Sequence, residues 1–178
     1  MPMFRFVGAC SAVLLGVTLV AACAPTLNWR SWRSDEIGVT QLFPCKPVRQ
    51  QRKVQLIGRE LQMVLQVCDE ADLTWAQVYA DAVDPAAVGP LIEALVAAAH
   101  LNLGARRGAL VPSPVIGATP NPGSGRYRLR GRAPDGHAVE EVMLVFVKGT
   151  VVVQVTALGA AVPTDLADNF IGAVRVDS

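Results

Sequence analysis

The chain has only two histidines, His100 and His137, and almost no net charge. Its 16 basic and 15 acidic residues leave +1, far from the excess that draws a protein to polyanions. A nucleic-acid partner is therefore not expected, and electrostatic recognition must come from a local patch. Charged residues make up 17% against 52% hydrophobic, which is too apolar for disorder. Also absent are the Gly-x-Ser-x-Gly elbow, His-Glu-x-x-His and the Gly-x-x-x-x-Gly-Lys-Ser/Thr phosphate loop. Lys148-Gly149-Thr150 shares only composition with the last and reads as a hairpin turn. Neither histidine stands at a telling distance from a nucleophile. Glu140 and Glu141 are adjacent, so a strand points them to opposite faces and denies them a joint acid–base role. No enzymatic activity is expected. Asp69, Glu70 and Asp72 lack the ordered oxygen spacing of a calcium loop, so no metal is expected there and the turn reads as solvated.

Charge is scarcest at the amino terminus. Arg5 is the only charged residue before Cys23, and none occurs from Phe6 to Trp29. One positive residue, an apolar stretch to Val20 and the small Ala21 and Ala22 have the layout of a secretory signal. Val20-Ala21-Ala22-Cys23 resembles the bacterial lipobox, in which small residues let a peptidase reach the backbone before a nucleophilic thiol. The resemblance implies removal of residues 1–22, a diacylglyceryl thioether on Cys23 and acylation of the freed amine, with no other cofactor. Three acyl chains exceed the two signals that stable anchoring takes. Ala24, where an Asp favours inner-membrane retention in such lipoproteins, implies the periplasmic face of the outer membrane. The alternative is an inner-membrane protein with an uncleaved helix, since about 20 apolar residues span a bilayer. Without residues 1–22 the chain has 15 basic and 15 acidic residues.

Four cysteines then divide by position: Cys10 leaves with the signal, Cys23 carries lipid, and Cys45 and Cys68 remain. An even pair in an oxidising compartment is a disulfide candidate, with two free buried thiols as the alternative. Two thiolates without nearby histidines make a poor zinc site.

The exported part suits one domain over residues 38–178, joined to Cys23 by a tether over residues 23–37. Trp29 and Trp32 in that tether suit either the membrane interface or docking on the body. Val39–Phe43 and Lys53–Ile57 read as strands, and Leu61–Cys68 alternates with period two. Asp69–Asp72 is a predicted turn into a strand over Leu73–Ala80. Asp84 and Pro85 open a helix with an apolar stripe from Leu91 to Leu103, and Gly104 ends it. His100 is placed on that helix's solvated face. Residues 104–125, rich in Pro and Gly, form a long loop, either functional or mobile. Arg126–Ala133 and His137–Val147 make a hairpin around Pro134-Asp135-Gly136, followed by a strand over Thr150–Leu158. Val142–Val147 is apolar throughout, so its strand is expected to be covered on both faces. Thr164 is read as the cap of a last helix, with Ala173–Val176 closing the domain.

This order predicts an α+β domain with a mainly antiparallel sheet packed with a central and a C-terminal helix. Leu42-Phe43-Pro44-Cys45-Lys46-Pro47, the central helix and Arg126–Gly131 leading into the late hairpins resemble the PsbP-like/Mog1-like fold and small proteobacterial lipoproteins of similar layout. The resemblance spans roughly residues 38–178 and implies an accessory or binding role.

Arg126, Arg128, Arg130 and Arg132 carry the most specific chemistry. Period two sets all four on one strand face, with Tyr127 and Leu129 on the other. Guanidinium forks suit phosphates and carboxylates, so the stripe is a candidate site for an anionic envelope component or protein partner. The plainer alternative is a solvated face on which Glu140 or Glu141, depending on the turn, offsets one arginine. The expected protein is a non-catalytic binding module anchored to the membrane. The alternative is a carrier with an apolar pocket between helix and sheet under the 104–125 loop.

Overall fold

The computed structural model describes residues 27–105 and 108–177. Five strands come first: β1 (Arg30–Ser34), β2 (Val39–Phe43), β3 (Val48–Leu56), β4 (Arg59–Glu70) and β5 (Leu73–Asp81). A short 3-10 turn, Pro85–Ala87, leads into α1 (Val88–Asn102). After the 104–125 loop come β6 (Gly125–Arg132), β7 (Ala138–Lys148), β8 (Val151–Gly159), α2 (Thr164–Gly172) and β9 (Arg175–Val176). Strands β3-β4-β5-β8-β7-β6 form one sheet and β1-β2-β9 a smaller one. Every pairing within them is antiparallel. The domain is thus mixed α+β with mainly antiparallel sheets and two helices. Among the described residues no helix is long and apolar enough to cross a membrane.

The larger sheet is covered on both faces. On one, Leu91, Ile92, Leu95 and Val96 of α1 meet Ala80, Met143, Val145, Val147 and Val152. On the other, the small sheet and α2 bury Phe43, Trp75, Val142, Leu144, Phe146, Val153 and Phe170 together. The unbroken apolar run of β7 follows from this, because alternate residues serve different cores. Strand β7 lies inside the sheet, between β8 and β6.

Several local expectations change. The expected tether contains β1, which pairs with β2 from Arg30↔Phe43 to Ser34↔Val39. Arg30–Ser34 shows no apolar alternation. Its partner strand and the docking of Trp29 on Trp75 and Phe170, at centroid distances of 5.4 and 6.4 Å, supply the order that propensity does not. Strand β3 begins at Val48 rather than Lys53, since the long ladder to β4 recruits the polar Arg49, Gln50, Gln51 and Arg52. It is the sheet edge and is largely exposed. Asp69 and Glu70 belong to β4, leaving Ala71 and Asp72 as a tight turn with φ of 56° and 57°. Asp84 does cap the helical start, accepting from Ala86 N at 2.9 Å. Thr164 lies inside α2, whose cap position is Pro163. His100 is buried instead of solvated. Loop 104–125 is tied to the sheet by isolated bridges Val111↔Arg126 and Thr119↔Val147.

One close approach fixes α1 against the sheet edge. Arg132 N donates to Leu103 O at 2.8 Å, and a Cβ on Gly131 would lie 1.9 Å from that oxygen. Replacing Gly131 by Ala should cost roughly 1–3 kcal/mol, read as a lower denaturant midpoint. An unchanged midpoint would show that the helix end yields freely.

Cys45 and Cys68 form a disulfide, with Cα atoms 6.0 Å apart. It ties the segment after β2 to β4, and so the small sheet to the large one. On the chain-entropy model a loop of this size contributes about 3 kcal/mol. The Cys45→Ala/Cys68→Ala variant should lose about that much in equilibrium denaturation, and a loss below the measurement error would contradict the account.

Candidate partner-binding face

The candidate face is built on β6, where strand alternation sorts the side chains. Tyr127 and Leu129 are buried toward α1, while Arg126, Arg128, Arg130 and Arg132 point to the α2 side. The hairpin takes the bulged-turn register, with Gly136 at φ 89° and Arg130 opposite Glu140.

Most of the stripe is engaged. Arg126 Nη1 lies 2.6 Å from Asp168 Oδ1 on α2. Arg128 Nη1 and Arg130 Nε both donate to Glu140 Oε1 at 2.9 Å. The other Glu140 oxygen accepts from Val162 N at 2.9 Å. Arg132 Nη1 donates to Gly136 O at 2.8 Å and meets no carboxylate among the described residues. One neutralising carboxylate was expected from the sequence; two are present, and Glu140 serves two arginines. Exposure follows this division: the Arg126 and Arg128 side chains are 29% and 33% exposed, Arg130 76%. The inner pair is thus structural wiring between sheet, α2 and the loop before it. Arg130 and Arg132 are the exposed members able to meet a partner. The sequence places Asp168 in the last helix but does not pair it with the stripe, because nothing local links it to a residue 42 positions earlier.

The adjacent glutamates have opposite environments. Burial pushes the Glu140 carboxyl up, but the Val162 N–H and the Arg128 and Arg130 guanidinium groups outweigh it and hold it below the ordinary range. Burial raises Glu141, and the hydroxyl of Thr156, 3.3 Å away, offsets only part. Their partners lie on opposite faces of the sheet, so the two do not act as a pair.

A second polar cluster sits at the turn between β1 and β2. Tyr79 donates to Glu36 Oε1, and Arg49 Nη2 donates to the same oxygen at 2.6 Å. The Tyr79 hydroxyl, the backbone and Arg49 lower the Glu36 carboxyl to about 2. Burial and that carboxylate push Tyr79 well above its ordinary range. The cluster clamps the small sheet to β3 and β5. Sequence separation hid it as well.

The remaining candidates separate in space. His100 is buried on α1, and neither ring nitrogen has a hydrogen-bond partner among the described residues. His137 lies in the β6–β7 turn, 2.8 Å from Asp135. Asp69 accepts from Thr74 Oγ1 at 2.6 Å. Together with Glu70, Asp72 and Asp135 it borders an open groove of about 830 Å³ between two hairpin turns. Among the described residues no three His, Cys, Asp or Glu side chains gather to hold a metal ion. The helix–sheet interface is filled by buried Leu91, Ile92, Leu95, Met143 and Val145. A cleft of about 370 Å³ does lie under the loop, between residues 112–124 and Phe146. Cys23 and residues 1–22 lie outside the described residues.

Compared with known proteins, the chain matches no family model, and no curated protein is significantly similar to it.

The paired glutamates give a pH signature. A carboxyl raised in the fold stabilises below its unfolded pKa and loses that contribution as pH rises through the folded value; a depressed one does the reverse. Glu141→Gln should therefore raise stability at neutral pH relative to the parent, an advantage that vanishes below about pH 4. Glu140→Gln should lower stability at neutral pH and converge with the parent in acid. Denaturation of both variants from pH 3 to 8 tests this, and parallel curves would contradict it.

Proposed function

We propose that the mature chain is a lipoprotein of the outer membrane, anchored through acylated Cys23 and facing the periplasm. Its α+β domain, which we read as PsbP-like/Mog1-like, serves as a non-catalytic binding module of the cell envelope. The observation that carries this reading is the Cys45–Cys68 disulfide: such a bond persists in oxidising compartments, where the lipobox-like segment would deliver the chain. The binding surface is the exposed end of the arginine stripe, Arg130 and Arg132, held by the Glu140 network beneath it. Arg126 and Arg128 support it from within. A non-catalytic role accords with Glu140 and Glu141 facing opposite sides of the sheet.

The intact mass of the membrane-extracted protein tests the anchor. Expected are loss of residues 1–22, addition of a diacylglyceryl group and an acyl chain on Cys23, and the two-hydrogen deficit of a disulfide. A product retaining Met1 without glycerolipid would refute it. The binding surface is tested separately by Arg130→Gln/Arg132→Gln, which removes no buried ion pair in full. The double variant should fold normally and lose crosslinked anionic envelope components; unchanged crosslinks would leave the stripe a solubilising face.

A further inference from the structure

We infer that the anionic partner of this surface is the phosphate layer of the bilayer that holds the acyl chains. This rests on the lipid anchor proposed above and adds where the body stands on it.

The chain allows little distance between anchor and body. Leu27 is already in the core, and Trp29 packs on Trp75 and Phe170. Only Ala24, Pro25 and Thr26 separate Leu27 from Cys23. Four residues reach at most about 14 Å when fully extended. The headgroup layer takes up roughly 6 Å of that. The end of the body where the chain enters is therefore held within about 8 Å of the headgroups, inside the Debye length of about 8–10 Å. A body on a flexible tether would stand well outside it.

The strand registers identify that end. Arg30 pairs with Phe43, so residues 27–29 lie past the Phe43 end of the small sheet. From there the chain runs to Cys45 and through the disulfide to Cys68, close to the Ala71-Asp72 turn. The same end of the large sheet holds the row Leu73, Gly159, Glu140 and Arg130, with Arg132 just beyond. At this end stand Arg30 and Lys46 close to the entry and Arg132 farther off on edge strand β6, all exposed and none in an ion pair among the described residues. Asp69, Glu70 and Asp72 stand at the same end, at the β4–β5 turn that follows Cys68, and Asp135 stands in the β6–β7 turn near Arg132. The end thus carries both signs, and the short tether is what brings its unpaired Arg30, Lys46 and Arg132 within reach of the phosphates.

Membrane-extracted acylated protein in phosphatidylethanolamine–phosphatidylglycerol vesicles tests this through energy transfer to headgroup-attached acceptors. One label is placed by Ala160→Cys at the entry end and another by Ala86→Cys at the far end. Nine-residue β5 separates the two ends by roughly 27 Å. Transfer should be strong from position 160 and weak from position 86. Each of Arg30→Gln, Lys46→Gln and Arg132→Gln should shrink the ratio of docked to undocked body about fivefold. Equal transfer from both labels, or docking indifferent to the three substitutions, would overturn the inference while the acyl mass on Cys23 still upholds the anchor. A product without acyl mass would overturn the anchor itself, and this inference with it.

Discussion

Trp75 is the point on which the layers depend. It is fully buried, and Trp29 and Phe170 meet it edge-on at centroid distances of 5.4 and 5.0 Å. Phe43 meets Phe170 in turn at 5.5 Å. One aromatic cluster thereby joins the entering chain, the small sheet, the large sheet and α2. Rings of this kind bury large area and prefer such edge-to-face geometry, so they fix orientation as well as distance. The disulfide between Cys45 and Cys68 reinforces the same junction. With the small sheet held there, the outer residues of β5, β7 and β8 are covered on the face that α1 does not reach.

Much of this was legible in the sequence where local pattern and tertiary demand agree. The alternation of Leu61–Cys68, the apolar run of Val142–Val147 and the Asp84–Pro85 helix start each follow from backbone periodicity or capping. The cysteine pair was legible from parity, together with the expectation of an oxidising compartment. What escaped depends on partners distant in sequence. Nothing within Arg30–Ser34 says strand; β2 and Trp75 say it. His100 looked solvated on a helical wheel, yet the fold buries it. For the candidate face, the alternation of the arginines and the Arg130–Glu140 register were readable. The Asp168 and Val162 contacts were not, because they arise only once α2 crosses the sheet.

The stripe itself shows how one motif divides its labour. Arg126 and Arg128 are partly buried and held by carboxylates, while Arg130 and Arg132 reach solvent from the end of the same strand. The buried carboxylate of Glu140 is stabilised by both guanidinium groups and a backbone N–H, so its charge is retained inside the fold. Four like charges in alternation need not be one surface. Depth along the strand decides which of them remain available.

Strand β3 leaves a long row of hydrogen-bonding groups open along one side of the large sheet. A bare strand of this length invites edge-to-edge stacking between copies. Arg49, Arg52 and Lys53 line that margin, so two such borders brought together oppose cation to cation. The polar composition that made this strand hard to recognise also keeps crowded copies from growing into a shared ribbon.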